Sequence, residues 1–347
     1  MNKYLLSVMK GQRNSFMAQL ITYLLLPLSL LYGLGVFCHR NFYRFRKAYK
    51  APKPVISIGN ITVGGVGKTP IVIWLVRNLL NKGFKAVILI RGYMPQASET
   101  SDEVDMLNEQ IPYTPVLVGP DRISNIRKST DFLPVDVYIM DDAFQHWPIH
   151  RDLNVVAIDA VNPFGNEYLL PAGILREPLS SLKRADVFIL TKTDGCRHLQ
   201  ILSAKLKRIN PKALIVESRY KSSSSVDVFD GQTMPDDFLK EKHVVGFCGI
   251  GEPISFESSL KNSGAKIAKL FIYMDHHIYK KDDIQRMVEC CHAQGVQVLV
   301  TTHKDAVKLR AFKDQLADIH LIYIPVQLEI TKGADEFLQK VISICFN

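Results

Sequence analysis

The chain has 347 residues, 47% of them hydrophobic and 22% charged, which excludes wholesale disorder and is too long for one small core. Its formal charge of +9 is unevenly placed. Residues 1–98 hold 14 Lys or Arg and no acid, while residues 99–347 set 29 basic against all 34 acidic residues, which excludes a basic nucleic-acid-binding surface spread over the folded domains.

The first element is an uncharged run of 23 residues, Phe16 to Cys38, bracketed by Lys10 and Arg13 before it and Arg40, Arg44, Arg46, Lys47 and Lys50 after it. At ~1.5 Å per residue such a helix reaches about 35 Å, enough for a bilayer. Pro27 predicts a kink or a split into two helices. The run predicts an N-terminal membrane anchor over residues 1–50, interfacial or single-pass. The six Lys/Arg from Arg40 to Lys53 place the downstream domain on the cytoplasmic side.

From Pro54 onward strands alternate with amphipathic stretches. Val55–Gly59, Ala86–Ile90, Val135–Met140, Leu153–Ile158, Val187–Thr191 and Ala213–Glu217 read as buried strands, and Thr69–Asn81 as a helix. This alternation predicts an α/β fold, a P-loop NTPase-like doubly wound parallel sheet, over residues 51–221. Four serines at 222–225 predict a linker. A second, smaller α/β domain is expected over 226–347, with strands His243–Cys248, Ile267–Tyr273, Val296–Thr301 and His320–Pro325. Helices are expected from Asp282 to Gln294 and over Asp335–Cys345. The six cysteines form no CxxC pair and no zinc spacing, which predicts free thiols in a reducing compartment.

The motif with most chemistry is Gly64-Gly65-Val66-Gly67-Lys68-Thr69, placed between a strand and a helix. Glycines let backbone N–H groups close on phosphate oxygens, and the helix N-terminus adds its dipole. Lys68 can reach the β- and γ-phosphates of a nucleotide, and the Thr69 hydroxyl can ligate Mg²⁺. The general pattern has Gly where this chain has Thr62. The strand ending in Asp141-Asp142 is a source of a metal-side carboxylate, from either residue. Thr191-Lys192-Thr193-Asp194 has the form of the base-selecting element of GTPases, which makes a membrane-attached P-loop GTPase or ATPase switch the alternative function. Asp275-His276-His277 lacks a third ligand at metal spacing.

Together with Gly59-Asn60, Arg91-Gly92-Tyr93, Asp141-Asp142-Ala143-Phe144-Gln145-His146, Leu170-Pro171-Ala172-Gly173, Leu175-Arg176-Glu177-Pro178, Asp275-His276 and Thr301-Thr302 with Lys304-Asp305, the chain resembles the tetraacyldisaccharide 4′-kinase family of lipid A biosynthesis. The resemblance implies a lipid kinase that moves the γ-phosphate of ATP, with Mg²⁺, to the 4′-hydroxyl of tetraacyldisaccharide 1-phosphate, giving lipid IVA. The same resemblance places the enzyme on the cytoplasmic face of the inner membrane, with lipid and membrane surface as partners and no nucleic acid. It puts the nucleotide loop on Thr62, Val63, Gly64, Gly65, Val66, Gly67, Lys68 and Thr69. The catalytic pair falls on Asp102 and His276 beside Lys68, and the metal-side groups on Thr69, Asp141 and Asp142. Arg91, Tyr93, Gln145, Arg176 and Glu177 become candidate substrate contacts. With His276 in the second domain, catalysis is expected to need domain closure. The chain departs from the family pattern at Ala143, at Met94, at Ser101 and at His303, where the family has Glu, and the Tyr93–Asp102 stretch is short.

Overall fold

The computed structural model describes residues 3–92, 102–251, 253–275 and 277–346. In chain order α1 (Lys3–Met9) and α2 (Phe16–Arg44) precede β1 (Val55–Gly59), α3 (Lys68–Asn81), β2 (Ala86–Ile90), α4 (Asp102–Gln110) and β3 (Val116–Val118). Next come α5 (Arg122–Phe132), β4 (Val137–Asp141), β5 (Leu153–Asp159), β6 (Val187–Thr191), α6 (Leu199–Ile209) and β7 (Leu214–Ser222). The remainder is β8 (Val226–Asp227), β9 (His243–Cys248), α7 (Pro253–Asn262), β10 (Lys266–Ile272), α8 (Lys281–Ala293), β11 (Val298–Thr302), α9 (His303–Leu309), β12 (His320–Ile324), β13 (Val326–Lys332) and α10 (Ala334–Cys345).

Two compact units result. The first takes residues 1–92, 113–219 and 329–347, the second 93–112 and 220–328. This differs from a boundary at the serine run in two places. Residues 329–347 return to the first unit, and residues 93–112 leave it. β7 also continues through Ser222, so the expected linker begins inside a strand.

The first unit is built on a sheet of order β13-β7-β6-β5-β1-β4-β2-β3. The pairs from β7 through β3 are parallel. Every position of β1, β2, β4 and β6 is buried, as expected for parallel strands covered on both faces. α3 packs Ile71, Val72, Leu75, Val76 and Leu79 inward at helical spacing. α10 joins this unit through aromatic contacts: Phe337, fully buried, stacks on Trp74 at 5.8 Å, and Phe346 meets Phe84 edge-on at 5.4 Å.

The anchor run forms one helix that passes unbroken through Pro27 instead of splitting there. Ser15 caps it by accepting the Ala18 N–H. Two residues after Pro27 the Ser29 hydroxyl donates to the Leu169 carbonyl and accepts from the Ala172 N–H, both at 2.9 Å. Tyr32 donates to the Arg176 carbonyl at 3.1 Å. One face therefore lies on the first unit. The rest of the helix exposes Phe16, Leu24, Leu30, Leu31 and Leu34.

The second unit has a sheet of order β10-β9-β11-β12-β8, parallel except for β8. Phe247, Ile284, Met287, Cys291, Leu299, Leu309 and Leu321 fill its core. α4 buries Val104 and Leu107 one turn apart, with Ile111 just beyond its end. The six cysteines are free.

Candidate functional site

In the first unit the strand order β5-β1-β4 puts β1 between β4 and β5, and a loop at the carboxyl end of such a strand is where doubly wound sheets bind ligands. Register sets Asp141 beside Ile58, one residue before β1 ends. Gly59, the last residue of β1, has no room for a side chain. A β-carbon there would stand 2.5 Å from the Phe144 nitrogen and 2.7 Å from its β-carbon. The two strand ends are thus pressed together because residue 59 is glycine.

The loop then runs to Gly67, whose φ of 84° is left-handed, and α3 starts at Lys68. Lys68 Nζ lies 3.4 Å from Asp142 Oδ1 and 3.4 Å from Asn60 Oδ1. Asn60 also holds the loop's start by donating to the Thr62 carbonyl at 2.7 Å and hydroxyl at 3.2 Å. Beneath the loop, the buried Thr191 hydroxyl donates to the Val66 carbonyl at 3.1 Å. Lys192 of that same TKTD element is left-handed and pairs with Asp159 at 2.6 Å.

Asp142 turns the corner after β4 at φ 46°, a conformation that Asp tolerates better than most residues. Its two carboxylate oxygens each accept from Arg176 Nη1 at 3.1 Å. Burial disfavours the charged form, but Lys68 and Arg176 outweigh it and hold the carboxyl below the usual range. Asp141 is buried, accepts the Asp142 N–H at 2.8 Å, and receives Arg122 on its main-chain carbonyl. Thr69 is half-buried at the second position of α3.

Gln145 donates to the Asn60 carbonyl at 2.8 Å, so the Asp-Asp-Ala-Phe-Gln segment is stitched to the phosphate-type loop at both ends. Glu177 is buried and paired with Arg184 at 3.0 Å. The Arg184 guanidinium lies between the Phe144 and Trp147 rings, at 4.3 and 4.4 Å. A cavity of about 370 Å³ opens between α2 and this cluster, lined by Tyr32, His39 and Arg40 on one side and Gln145, Trp147 and Glu177 on the other. Arg91 is exposed at the end of β2.

Tyr93 and His276 lie outside the described residues, as does the Asp102 side chain. The backbone of Asp102 opens α4, which belongs to the second unit together with the segment that contains His276. The expectation that the pair is contributed by two different domains is therefore corrected: both positions belong to one unit. Arg122 supports this corner and belongs to no motif read from the sequence, whereas Asn60 and Thr191 stand in motifs that did not announce their supporting contacts. A local signal was present for two of the three. Asn60 directly follows β1, and Asp121-Arg122 is a helix cap followed by a charge at the first helical position.

The family model described as tetraacyldisaccharide-1-P 4′-kinase matches residues 21–343. A tetraacyldisaccharide 4′-kinase of Halothermothrix orenii is 31% identical over 98% of both chains. Another, of Pelobacter propionicus, is 33% identical over 91% of both. Among solved structures, that of LpxK from Aquifex aeolicus in complex with ATP superposes with a TM-score of 0.72 at 26% identity, covering 93% of this chain and 99% of the other.

Proposed function

The chain belongs to the tetraacyldisaccharide-1-P 4′-kinase family, and on that premise we propose how its residues move the γ-phosphate of ATP to the 4′-hydroxyl of tetraacyldisaccharide 1-phosphate, the step that yields lipid IVA. The observation that carries the proposal is the corner where Lys68 meets Asp142 beside the glycine loop, with Asp141 in register against β1. Phosphoryl transfer through a loose transition state needs positioned positive charge more than covalent chemistry. Loop amides from Thr62 to Thr69 and the Lys68 ammonium provide it. Arg176 bonds both oxygens of Asp142 and orients that carboxylate.

The oxygen-only donor set of Thr69, Asp141 and Asp142 suits Mg²⁺, a hard cation that takes few protein ligands and keeps phosphate oxygens and water. The donors fit: Asp142 is held ionised and Asp141 is buried at a strand end. Held by these residues, Mg²⁺ would supply charge neutralisation of the nucleotide's phosphates. Asp102 removes the acceptor proton as the new P–O bond forms, and His276 holds or relays that proton.

The acceptor is lipid-borne, and α2 supplies the means to meet it. Ser29 and Tyr32 dock the middle of the helix on the kinase core, while the opposite face exposes large apolar side chains. A helix tied down at its midpoint lies in the interface instead of crossing the bilayer. The basic run from Arg40 to Lys53 then rests on anionic headgroups at the cytoplasmic face of the inner membrane. The cavity shared by α2, Gln145 and Glu177 supports an acceptor site beside the membrane helix.

Purified protein incubated with γ-labelled ATP and tetraacyldisaccharide 1-phosphate in detergent micelles should give labelled lipid IVA. Hydrolysis of nucleotide without any transfer to lipid would refute the proposal.

A further inference from the structure

We propose that His303 is a positioning residue for the transfer reaction, acting by fixing α4, whose first residue is Asp102. The inference rests on the assignment of Asp102 and His276 as the proton-handling pair.

The geometry lies entirely in the second unit. His303 opens α9 and is buried, with its ring stacked on Tyr323 at 4.5 Å and 11°. Nδ1 is 3.2 Å from Gln110 Nε2, and Nε2 is 2.8 Å from Glu109 Oε2. Gln110 donates, so Nδ1 accepts; the one ring proton then sits on Nε2 and points at the Glu109 carboxylate. The second oxygen of Glu109 is held by Arg310 at 2.7 Å. A neutral imidazole with one donor and one acceptor site is what this pair of residues at the end of α4 can satisfy. Burial keeps the imidazole in that neutral form, against the pull of Glu109.

The same short helix also bonds the residues that flank position 276. Lys304 Nζ bonds Asp275 Oδ1 at 2.9 Å, and Lys308 Nζ bonds the His277 carbonyl at 3.2 Å, so the residues on both sides of His276 are tethered to α9. The helix itself is rigidly seated. Thr302 caps it, and the fully buried Asp305 accepts from Thr302 at 2.7 Å and from the Gly249 N–H at 2.9 Å. α9 is therefore the common scaffold of two segments separated by more than 160 residues in sequence. A small error in placing a reacting group costs turnover steeply, on the order of 10²-fold per Å.

The test uses the full-length enzyme in lipid micelles. His303→Ala should lower kcat ~10–100-fold with the KM for ATP within about twofold of wild type. Hydrogen exchange in peptides covering 104–111 should quicken. His303→Gln, which can accept from Gln110 and donate to Glu109, should restore most of the turnover. In an Asp102→Asn background the His303→Ala change should cost almost nothing further, because a residue acting through Asp102 has no separate effect once Asp102 is disabled. If His303→Ala melts too readily to assay, Glu109→Gln tests the same contact from the α4 side and should give the same kcat-selective loss. A full-sized loss in the Asp102→Asn background, or an intact kcat with loosened α4, would overturn the inference. A silent His303→Ala beside a strongly impaired Asp102→Asn would sink this inference alone. A silent Asp102→Asn would take the proton-handling pair with it.

Discussion

Gly59→Ala puts a single carbon at the point where the two catalytic strand ends touch. That carbon would stand 2.5 Å from a backbone nitrogen, that of Phe144, and no rotamer change can relieve a clash with backbone. Phe144 cannot retreat freely either. Its side chain is fully buried in the core cluster with Ile61, Val156 and Leu175, beneath the Arg184 guanidinium at 4.3 Å. Overpacking of this kind costs about 1–3 kcal/mol. For a unit of this size each kcal/mol lowers the melting temperature by roughly 2–4 °C. Because Phe144 follows Asp142 by two residues, the displacement should carry into the acidic corner and lower kcat about tenfold or more. Gly65→Ala is the comparison: its added carbon meets nothing within 4 Å, so its melting temperature should stay at the wild-type value whatever happens to nucleotide affinity. Differential scanning fluorimetry and the labelled-lipid assay on both variants decide the matter. A Gly59→Ala protein with wild-type melting and turnover would show that the strand ends are not held as described.

Lys68→Ala and Thr69→Ala should each abolish transfer at saturating Mg-ATP, measured as labelled lipid, because no neighbouring group replaces the ammonium or the hydroxyl. Arg176→Ala should move the acid limb of the pH–rate profile upward: Asp142 loses one of the two cations that hold its carboxyl low, so it protonates at a higher pH and the active ionised form is lost sooner on acidification. His146 is pushed down to about 4, by burial first and then by the guanidiniums of Arg122, Arg151 and Arg91. The unfolded chain binds a proton at its ordinary pKa and the folded one does not, so stability falls as pH drops from about 6.5 to 4, by at most ~3 kcal/mol. His146→Gln should flatten the melting temperature against pH across that window.

Much of the first unit was legible because its signals are local. β2 and β6 begin and end where their apolar runs do, and the helix after the glycine loop starts one residue before Thr69. The loop chemistry was legible for the same reason, since glycines, Lys68 and Thr69 are adjacent in sequence. What was hidden is pairing between distant segments. α10 has the apolar periodicity of any amphipathic helix, and nothing in it says that Phe337 will stack on Trp74, some 260 residues earlier, instead of covering the second sheet. α4, with the composition DEVDMLNEQ, has too little apolar character to announce itself, and its partner α9 is only seven residues long. Pro27 misled for a physical reason as well. The solvent-side backbone bond that a proline removes is tolerable where the neighbouring turn is pinned to the core, as Ser29 pins it here.

The interleaved chain path has a consequence for how the enzyme divides its chemistry. The proposed charge stabilisation falls to the first unit, where Lys68, Asp141, Asp142 and Arg176 gather at one strand end and α2 is attached directly to that corner through Tyr32 and the Arg176 carbonyl. The proposed proton-handling pair falls to the second, where α4 is borrowed from the chain between β2 and β3 and its end is bonded to His303. α9, seated by its buried Asp305 cap, bonds the end of α4 and the residues on either side of position 276. His303 suits this division by its own chemistry. A glutamate at 303 would face Glu109 as a like charge in a buried setting, whereas a neutral imidazole accepts from Gln110 and donates to Glu109. His303→Glu should therefore be rescued by Glu109→Gln where neither change alone is tolerated.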